Sequence, residues 1–288
     1  MPKATIVVPA YNEEEAIRNL LTRLQSIRND YEVIFIDDGS TDKTAELINA
    51  SGFRVVRQPY NKGYGAALKK GFRIAGSDIV VIMDADGQHN PEEVDKLIKH
   101  IGEYDMVVGA RDRKSLILLW RKPLKYILNL IANYLAGVKI PDLNSGFRAM
   151  RKDVVMRFMH ILPNGFSFST TITLAMLKGG YSVKYLPITT NKRIGRKSNV
   201  NFIKDGARTL LMIIRAIALF NPLKVFIPIS FFLFIGGLLF SVYGFVAYHR
   251  IPQVGVISII SSVTVFLFGV LADQFSLLRW EQNERNRD

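Results

Sequence analysis

The sequence predicts an α/β domain built on a mainly parallel sheet, followed by amphipathic helices and a hydrophobic helical hairpin. Two patterns lead to this prediction. Up to about residue 110, short apolar runs rich in β-branched residues alternate with amphipathic stretches of helical period, as in parallel sheets covered by helices on both faces. From residue 225 to 278, two long segments carry almost no charge, and each is long enough to span a bilayer.

The alternation of strands and helices begins close to the first residue. The predicted strands are ATIVVPA, YEVIFIDD, FRVVRQ, DIVVIMD and DMVVGAR, and the predicted helices begin at EEEAI, STDKT, GYGAA and PEEVD. Polar clusters follow several of these strands, at residues 9–13, 37–40, 84–86 and 109–111. Since ligands bind at the carboxyl ends of the strands in open parallel sheets, these clusters predict the position of the site.

Beyond Arg111, long apolar faces are mixed with Lys and Arg. Residues 115–137 and 201–221 each read as an amphipathic helix lying in a membrane interface, and an ordinary core helix is the alternative. Trp120, which stands among basic residues, favours the interface. We therefore expect one domain over residues 1–200, which includes the first of these helices, and a separate interface helix over 201–221.

The segment 225–278 is predicted to be a transmembrane hairpin. Residues 225–248 contain no charged residue, and residues 254–278 contain only Asp273; a buried helix pair is the alternative. The N-terminus lacks the pattern of a signal peptide, so we expect the protein in the cell membrane with its globular domain in the cytoplasm. The positive-inside rule places the basic tail, 279–288, on the same side.

The glycines of the first hairpin segment raise the question of assembly. Gly236, Gly237 and Gly244 are small enough to let helices of neighbouring subunits approach closely. A homo-oligomer is therefore left open.

The net charge is +13, and many of the basic residues are concentrated in one stretch of the chain. Between Lys192 and Arg215 every charged residue except Asp205 is basic, and this stretch directly precedes the hydrophobic hairpin. Basic flanks of this kind face the cytoplasmic side of membranes. We therefore expect a membrane partner and no nucleic acid. The absence of cysteine excludes disulfides and thiolate metal sites.

Two carboxylates, Asp84 and Asp86, end the predicted strand DIVVIMD, and Gln88 follows them. Oxygen ligands of this kind suit Mg²⁺ or Mn²⁺, which keep waters and accept phosphate oxygens as further ligands. The alternative is a loop that caps the helix beginning at Pro91. The metal interpretation predicts a bound diphosphate at this point.

Asp37 and Asp38 end another predicted strand. They are expected either to cap a turn or to accept hydrogen bonds from a nucleotide base or ribose. The glycine-rich stretch NKGYGAALKKG lacks the third glycine of the dinucleotide motif, and the chain contains no P-loop sequence. Neither of those nucleotide-binding folds is therefore expected.

Five segments in order, VVPAYNEEEAI, IDDGSTDKT, NKGYGAALKKG, MDADGQHNPEEV and LNSGFRAMRKDV, together resemble the family-2 glycosyltransferases. Within that family they are most similar to the polyprenyl-phosphate hexose synthases, the group of dolichyl-phosphate mannose synthase and polyprenyl-phosphate glucosyltransferase. The resemblance covers residues 4 to about 200. It implies a Rossmann-like GT-A fold, a nucleotide-sugar donor such as GDP-mannose or UDP-glucose, Mg²⁺ or Mn²⁺, and a polyprenyl or dolichyl phosphate acceptor.

The resemblance also implies roles for individual residues. The nucleotide pocket is expected to include Pro9, Tyr11, Asn12, Glu13, Asp37, Asp38, Lys62 and Gly63. The metal is expected at Asp84, Asp86 and Gln88, with Ala85 beside the substrate. The acceptor phosphate is expected to face Arg111, Ser145 and Arg148. The basic stretch KRIGRKSN resembles a loop that closes over the donor diphosphate, which points to Arg193, Arg196, Lys197 and Ser198.

These residues fit a mechanism without a general base. A lipid phosphate is already ionised near neutral pH, whereas a hydroxyl acceptor would need deprotonation. The difficulty is to bring two anions together, and Arg111 and Arg148 on the acceptor side would balance the metal and the basic loop on the donor side. A surface salt bridge is the alternative for Arg148. Direct in-line displacement would invert the anomeric centre.

Two other functions compete with this one. A processive polysaccharide synthase of the same family is disfavoured, because the chain has no Q-x-x-R-W motif and only one hairpin; no Gln stands at the required spacing before Arg279-Trp280. A non-catalytic, membrane-anchored protein that binds nucleotide sugars is the other alternative, and a donor-hydrolysis assay separates it from an enzyme.

Overall fold

The computed structural model describes residues 2–111, 141–142, 145–165, 167–191 and 222–285, with side chains up to 278. The chain divides into two compact units. Met1–Lys122 with Ile140–Asn201 form the sheet unit, and Pro123–Lys139 with Phe202–Asp288 form the hairpin unit. The predicted interface helices, 115–137 and 201–221, lie outside the described residues, as do Arg193, Arg196, Lys197 and Ser198.

The sheet unit contains a seven-stranded sheet in the order β3-β2-β1-β4-β6-β5-β7. Its strands are β1 Thr5–Ala10, β2 Glu32–Asp37, β3 Arg54–Arg57, β4 Ile79–Ile82, β5 Met106–Arg111, β6 Arg148–Arg151 and β7 Val183–Ile188. β6 runs antiparallel to both of its neighbours, and all other pairs are parallel. The predicted mainly parallel sheet is therefore confirmed, with β6 and β7 added to the predicted strands.

Helices connect and cover these strands. They are α1 Glu14–Gln25, α2 Thr44–Ala50, α3 Tyr64–Ile74, α4 Val94–Ile98, α5 Lys152–Phe158 and α6 Phe168–Lys178. All six residues of β1 are buried, because a central strand of a parallel sheet has helices on both faces. α3 lies close to β1 at Gly71, where an added Cβ would overlap the Val7 side chain. This close packing holds α3 against the central strand of the sheet.

The candidate site residues collect at the carboxyl edge of β2, β1 and β4, which are adjacent in the sheet. The register pairs Ala10 with Asp37, so β1 and β2 end at the same height. It pairs Val7 with Ile82, so β4 ends three residues earlier. The polar residues that follow them are therefore brought to one edge, as the parallel arrangement predicts.

The hairpin unit contains two long helices, α7 Leu223–Tyr248 and α8 Gln253–Arg285. Each has a span that is long and apolar enough to cross a membrane, and only 11% and 17% of those spans is buried within the protein. Core helices of soluble proteins are mostly buried, so these values favour a lipid-facing hairpin over the buried helix pair. The predicted segment 225–278 covers most of α7, the turn at 249–252 and α8 as far as Leu278.

Small residues recur every seven positions where the two helices meet. The buried positions are Ser230, Gly237 and Gly244 on α7, and Gly255, Ser262, Gly269 and Ser276 on α8. An added Cβ at Gly237 would lie 2.9 Å from the Ser258 Cβ, whereas one at Gly236 would meet no described atom within 4 Å. Small residues permit close helix packing. Gly237 and Gly244 are thus accounted for within one chain, without a second subunit.

Candidate active site

Asp84 is the second residue after β4, and its carboxylate contacts several residues of the protein. Oδ1 accepts a hydrogen bond from the Tyr64 hydroxyl at 2.9 Å, and Oδ2 lies 3.6 Å from His89 Nε2. Gly146 packs so closely that an added Cβ would overlap the carboxylate. The Asp84 side chain nevertheless remains 30% exposed. Its position is therefore held by the protein while part of the side chain remains exposed.

The electrostatic surroundings keep Asp84 ionised. Burial is the largest influence and raises its pKa, but contacts with His89 and Tyr64 and the charge of Arg148 together bring the pKa below its ordinary value. The pKa of the Tyr64 hydroxyl is raised well above its ordinary value by burial and by Asp84. The pair therefore consists of a carboxylate acceptor and a hydroxyl donor near neutral pH.

Asp86 and Gln88 belong to the tight turn that follows. The Gln88 N–H donates to Asp86 Oδ1 at 3.1 Å, and Gly87 adopts φ 73°, which favours glycine. Both side chains are partly exposed, while Ala85 between the acids is buried. The structure thus gathers Asp84, Asp86 and Gln88 in one short turn.

This turn is linked to the end of β7. The Asn191 N–H donates to the Gln88 carbonyl at 2.9 Å, and the Asn191 side-chain amide donates to Asn90 Oδ1 at 2.7 Å. The Asn90 amide in turn donates to the Thr189 carbonyl. The chain is therefore held beside the acidic turn immediately before residues 192–198.

Asp37 and Asp38 occupy a different environment, since both are almost fully buried. Asp38 accepts hydrogen bonds from the Gln58 side-chain amide at 3.0 Å and from the backbone N–H groups of Lys62 and Gly63 at 2.8 and 2.9 Å. These bonds join the end of β2 to the loop before α3. They support the turn-forming interpretation of Asp38, and its contact with a nucleotide remains a prediction.

Asp37 also holds a turn. Its Oδ1 accepts from the Ser40 N–H at 3.0 Å, and its Oδ2 lies 3.1 Å from Arg57 Nε. Arg57 further donates to the Ser40 carbonyl at 2.8 Å.

The side chain of Lys62, in contrast, is exposed and lies over the Tyr60 ring, 5.2 Å from its centroid.

The loop after β1 is joined to the loop after β2. Asn12, at φ 52°, accepts from the Thr41 N–H at 2.8 Å and donates its own N–H to Ser40 Oγ at 3.0 Å. The Glu13 N–H donates to Thr44 Oγ1 at 2.9 Å. Pro9 is buried in β1, and the Tyr11 ring is exposed at the edge. The structure thus brings 9–13 and 37–44 together, as a shared pocket requires.

Arg111 ends β5 and forms a two-point ion pair with Asp142, at 2.8 Å from Nε and 3.1 Å from Nη2. This hydrogen-bonded pair raises the pKa of Arg111, and the charges of Asp84 and Asp86 add to the effect. Arg111 therefore lies within electrostatic reach of both acids while Asp142 holds its guanidinium. Its side chain remains 42% exposed, which leaves it accessible to an anionic substrate.

Arg148 is fully buried, which excludes the surface salt bridge that was the alternative for this residue. Its contact with the acceptor phosphate remains a prediction. Arg148 donates to the carbonyls of Ser145 and Ser169 and to Thr173 Oγ1, and burial lowers its pKa. The reason is β6, which places Arg148 in the interior between β4 and β5. Arg148 thus supports the loop before it.

Ser145 is equally buried. Its hydroxyl donates to the Gly109 carbonyl at 2.6 Å and accepts from the Phe147 N–H at 3.3 Å. The hydroxyl is therefore engaged in holding the 145–147 turn against β5. A direct contact with an acceptor is not favoured by this arrangement.

Three residues around Asp84 were not foreseen from the sequence: Tyr64, His89 and Gly146. His89 is 4% exposed and stacks on the Phe147 ring, with 5.1 Å between ring centroids. His89 directly follows Gln88 in the sequence, and Gly146 directly follows Ser145. Both positions, next to predicted site residues, could have indicated a place in the site. The contacts themselves join segments that are far apart in the sequence, so no local pattern could assign them to Asp84.

A mostly parallel sheet with these polar loops at one edge fits the GT-A fold of glycosyltransferases. The solved structure of glucosyl-3-phosphoglycerate synthase from Mycobacterium tuberculosis, in complex with Mn²⁺, UDP and phosphoglyceric acid, matches with a TM-score of 0.61 at 19% identity. The match covers 74% of this chain and 78% of that one. At this identity the likeness establishes the fold alone.

The chain belongs to glycosyltransferase family 2. The family model for glycosyl transferase family 2 matches residues 5–158, more than half of the chain, and the model for the GtrB C-terminal hairpin matches residues 221–278. The expected family is thereby confirmed, and the chain is a glycosyltransferase.

Curated relatives give the same picture. The undecaprenyl-phosphate 4-deoxy-4-formamido-L-arabinose transferase of Pseudomonas paraeruginosa is 34% identical over 186 residues, 58% of this chain and 55% of that protein. The dolichol-phosphate mannosyltransferase of Pyrococcus furiosus is 34% identical over 212 residues, 69% of this chain and 59% of that protein. The matched part is thus a little more than half of each relative.

Proposed function

We propose that this protein transfers a hexose from a nucleotide sugar, GDP-mannose or UDP-glucose, to a polyprenyl or dolichyl phosphate at the membrane surface. The observation that carries the proposal is the fixed but partly exposed carboxylate of Asp84 at the carboxyl edge of a GT-A sheet, in a chain that also has a membrane-type hairpin. Relatives named as polyprenyl-phosphate sugar transferases support the acceptor class.

The acidic turn suits a divalent metal. Asp84, Asp86 and Gln88 would hold Mg²⁺ or Mn²⁺ through oxygen atoms. Among the residues that the structure describes, no three His, Cys, Asp or Glu side chains cluster as metal ligands. A site with two carboxylates and an amide fits a metal that takes its remaining ligands from water and substrate phosphates. When bound, the metal would neutralise the leaving diphosphate.

The chain's own residues would then do three things. The loops at 9–13 and 37–44 would hold the nucleotide, with the exposed Tyr11 ring as a flat apolar surface. Arg111, already oriented by Asp142, would balance the charge of the acceptor phosphate. The residues Arg193, Arg196, Lys197 and Ser198 would approach the donor diphosphate. Because the acceptor is already ionised, no side chain has to remove a proton, and in-line attack would invert the anomeric centre.

The hairpin would serve as the membrane anchor. The matched C-terminal hairpin model and the two apolar helices support this role. We propose residues 1–200 as the catalytic domain on the cytoplasmic side, 201–221 as an interface helix, 225–278 as the transmembrane hairpin and 279–288 as a cytoplasmic tail. An acceptor phosphate at the level of the lipid headgroups would then be presented to an enzyme that is held in the same plane.

A transfer assay tests the proposal. The purified full chain in lipid vesicles is given labelled GDP-mannose or UDP-glucose and polyprenyl phosphate, and the lipid fraction is analysed for the sugar. Transfer from one of these donors to the phosphate, but not to the corresponding polyprenol, is expected. Donor hydrolysis without lipid product, or formation of a polymer, would contradict the proposal; the latter would support a processive synthase.

A further inference from the structure

Tyr64 is the first residue of α3, and its backbone has little freedom. Gly63 precedes it at φ 100°, where an added Cβ would lie 2.6 Å from the Asn164 carbonyl oxygen. Gly65 follows it and packs against the Pro163 carbonyl so closely that a Cβ would overlap it. The Ala66 N–H donates to the Asn164 carbonyl at 3.0 Å. The start of α3 is therefore clamped against residues 163–165.

Because the start of α3 is held in this way, the Tyr64 hydroxyl donates a hydrogen bond to Asp84 Oδ1, at 2.9 Å between the two oxygen atoms. A carboxylate on a short side chain can turn about its terminal bond, and a hydrogen bond to one oxygen limits that rotation. The other oxygen, Oδ2, lies 3.6 Å from His89 Nε2, and Gly146 packs against the carboxylate. The hydrogen bond from Tyr64 to Oδ1, at 2.9 Å, is shorter than the His89 contact.

We propose that Tyr64 is a positioning residue, whose hydroxyl holds the Asp84 carboxylate in the orientation that binds a divalent cation together with a nucleoside diphosphate. The inference rests on the proposed metal-dependent transfer. Residues that orient metal ligands from outside the coordination sphere are typically worth about 10–100-fold in metal affinity or activity. Tyr64 therefore acts through Asp84, and its contribution would be removed by the loss of one oxygen atom.

The chain offers a matched control. The Tyr31 hydroxyl donates to Asp95 Oδ1 at 2.5 Å, and Tyr31 is 3% exposed. This is the same pair of residue types at a well-buried tyrosine, but Asp95 belongs to α4 and Tyr31 directly precedes β2, at the opposite end from the acidic turn. Tyr31→Phe removes a Tyr–Asp hydrogen bond without touching Asp84. It controls for the general loss of such a bond.

The experiment compares wild type, Tyr64→Phe and Tyr31→Phe as full chains in detergent. Mn²⁺ is titrated calorimetrically in the presence of GDP or UDP, and kcat and the donor KM are measured beside thermal melting. For Tyr64→Phe we expect the Mn²⁺ affinity and kcat each to fall by about tenfold or more, with a melting shift similar to that of Tyr31→Phe. Tyr31→Phe should leave both quantities within about twofold of wild type.

The outcomes separate the positioning role from the function on which it rests. Wild-type Mn²⁺ affinity and kcat in Tyr64→Phe would overturn the inference, and so would equal losses in both variants, which would indicate a general effect on stability. If wild type transfers sugar without binding Mn²⁺, the metal proposal fails. In that case kcat alone decides: a selective loss in Tyr64→Phe supports a role in orienting Asp84 toward the donor, and an unchanged kcat contradicts it.

Discussion

Two pairs of acidic residues lie at the same edge of the sheet, and they differ in burial and in their hydrogen-bond partners. Asp37 and Asp38 follow β2 and are buried, with backbone N–H groups, a glutamine amide and Arg57 as partners. Asp84 and Asp86 follow β4 and stay partly exposed. A strand that ends on two acids is therefore an ambiguous signal, and the accessibility of the carboxylates distinguishes a turn-forming pair from a candidate ligand site.

The physical reason lies in the cost of burying charge. A buried carboxylate is stable only when hydrogen-bond donors replace the water that it loses. Asp38 and one oxygen of Asp37 meet this requirement with donors from nearby loops. The other oxygen of Asp37, Oδ2, accepts no hydrogen bond among the described residues and lies 3.1 Å from Arg57 Nε. At the pair after β4, the exposed part of each side chain remains accessible to a cation and a diphosphate. The following predictions test this distinction.

The largest effect is expected at Asp86. Asp86→Ala should lower sugar transfer by about 1000-fold, equivalent to roughly 4 kcal/mol in activation free energy, because it removes a proposed metal ligand. The melting temperature should change little, since the side chain is partly exposed. Asp78→Ala is the matched control, because Asp78 is exposed and immediately precedes β4, at its other end; we expect its transfer rate to stay at the wild-type level. A rate for Asp86→Ala within tenfold of wild type would contradict the assignment.

Asp38 should show the opposite behaviour. Asp38→Ala leaves the N–H groups of Lys62 and Gly63 and the Gln58 amide without their acceptor, and each such buried group costs about 1–3 kcal/mol. We expect a loss of roughly 3 kcal/mol in the free energy of unfolding, which corresponds to a melting temperature lower by about 10 °C. Calorimetric melting of the full chain measures it. An unchanged melting temperature would show that Asp38 does not hold this loop.

The crowding of Asp84 by Gly146 gives a third test. Gly146→Ala places a Cβ against the carboxylate, so transfer should fall by roughly 30-fold, or about 2 kcal/mol, through displacement of Asp84. Gly236→Ala is the control, because Gly236 belongs to α7 and a Cβ there would meet no described atom within 4 Å. Steady-state kinetics of both variants decide the matter. Equal rates would mean that Asp84 tolerates displacement and is not a precisely held ligand.

The smallest effect is expected at Arg57. Its side chain is 63% exposed, but its partner Asp37 is fully buried, so Arg57→Ala should cost up to about 1 kcal/mol in stability after solvent screening. Arg54→Ala, on the same strand, removes an ion pair with the partly exposed Glu32 and should cost less. Chemical denaturation of the two variants provides the comparison. If Arg54→Ala is the more damaging change, burial of Asp37 is not what gives the Arg57 pair its value.

Local sequence patterns predicted the mainly parallel sheet and most of its strands and helices. Alternating strands and helices gave the parallel sheet, and parallel strands necessarily bring their carboxyl ends to one edge. The burial of Arg148 could not be predicted from its own segment, because it results from the insertion of β6 between β4 and β5. The contact of Gly146 with Asp84 depends on that insertion, and the contact of Tyr64 with Asp84 depends on the packing of α3. They could not be read from either segment alone.

The hairpin shows a similar limit. Length and the absence of charge predicted both helices. The seven-residue spacing of small residues on α7 and α8 was also present in the sequence, and it is the repeat of left-handed helix pairs. The partner of each glycine, however, depends on the turn at 249–252. Gly237 and Gly236 are adjacent and chemically identical, and only the packing shows that the first faces α8.

The most direct test of the proposed metal site is Mn²⁺ binding in the presence of GDP or UDP, followed by electron paramagnetic resonance. Three full chains are compared: wild type, Asp86→Ala and the control Asp78→Ala. If the acids after β4 hold the cation, wild type and Asp78→Ala bind Mn²⁺ in stoichiometric amount and Asp86→Ala leaves it free in solution. Binding by Asp86→Ala with the affinity and spectrum of wild type would contradict the account.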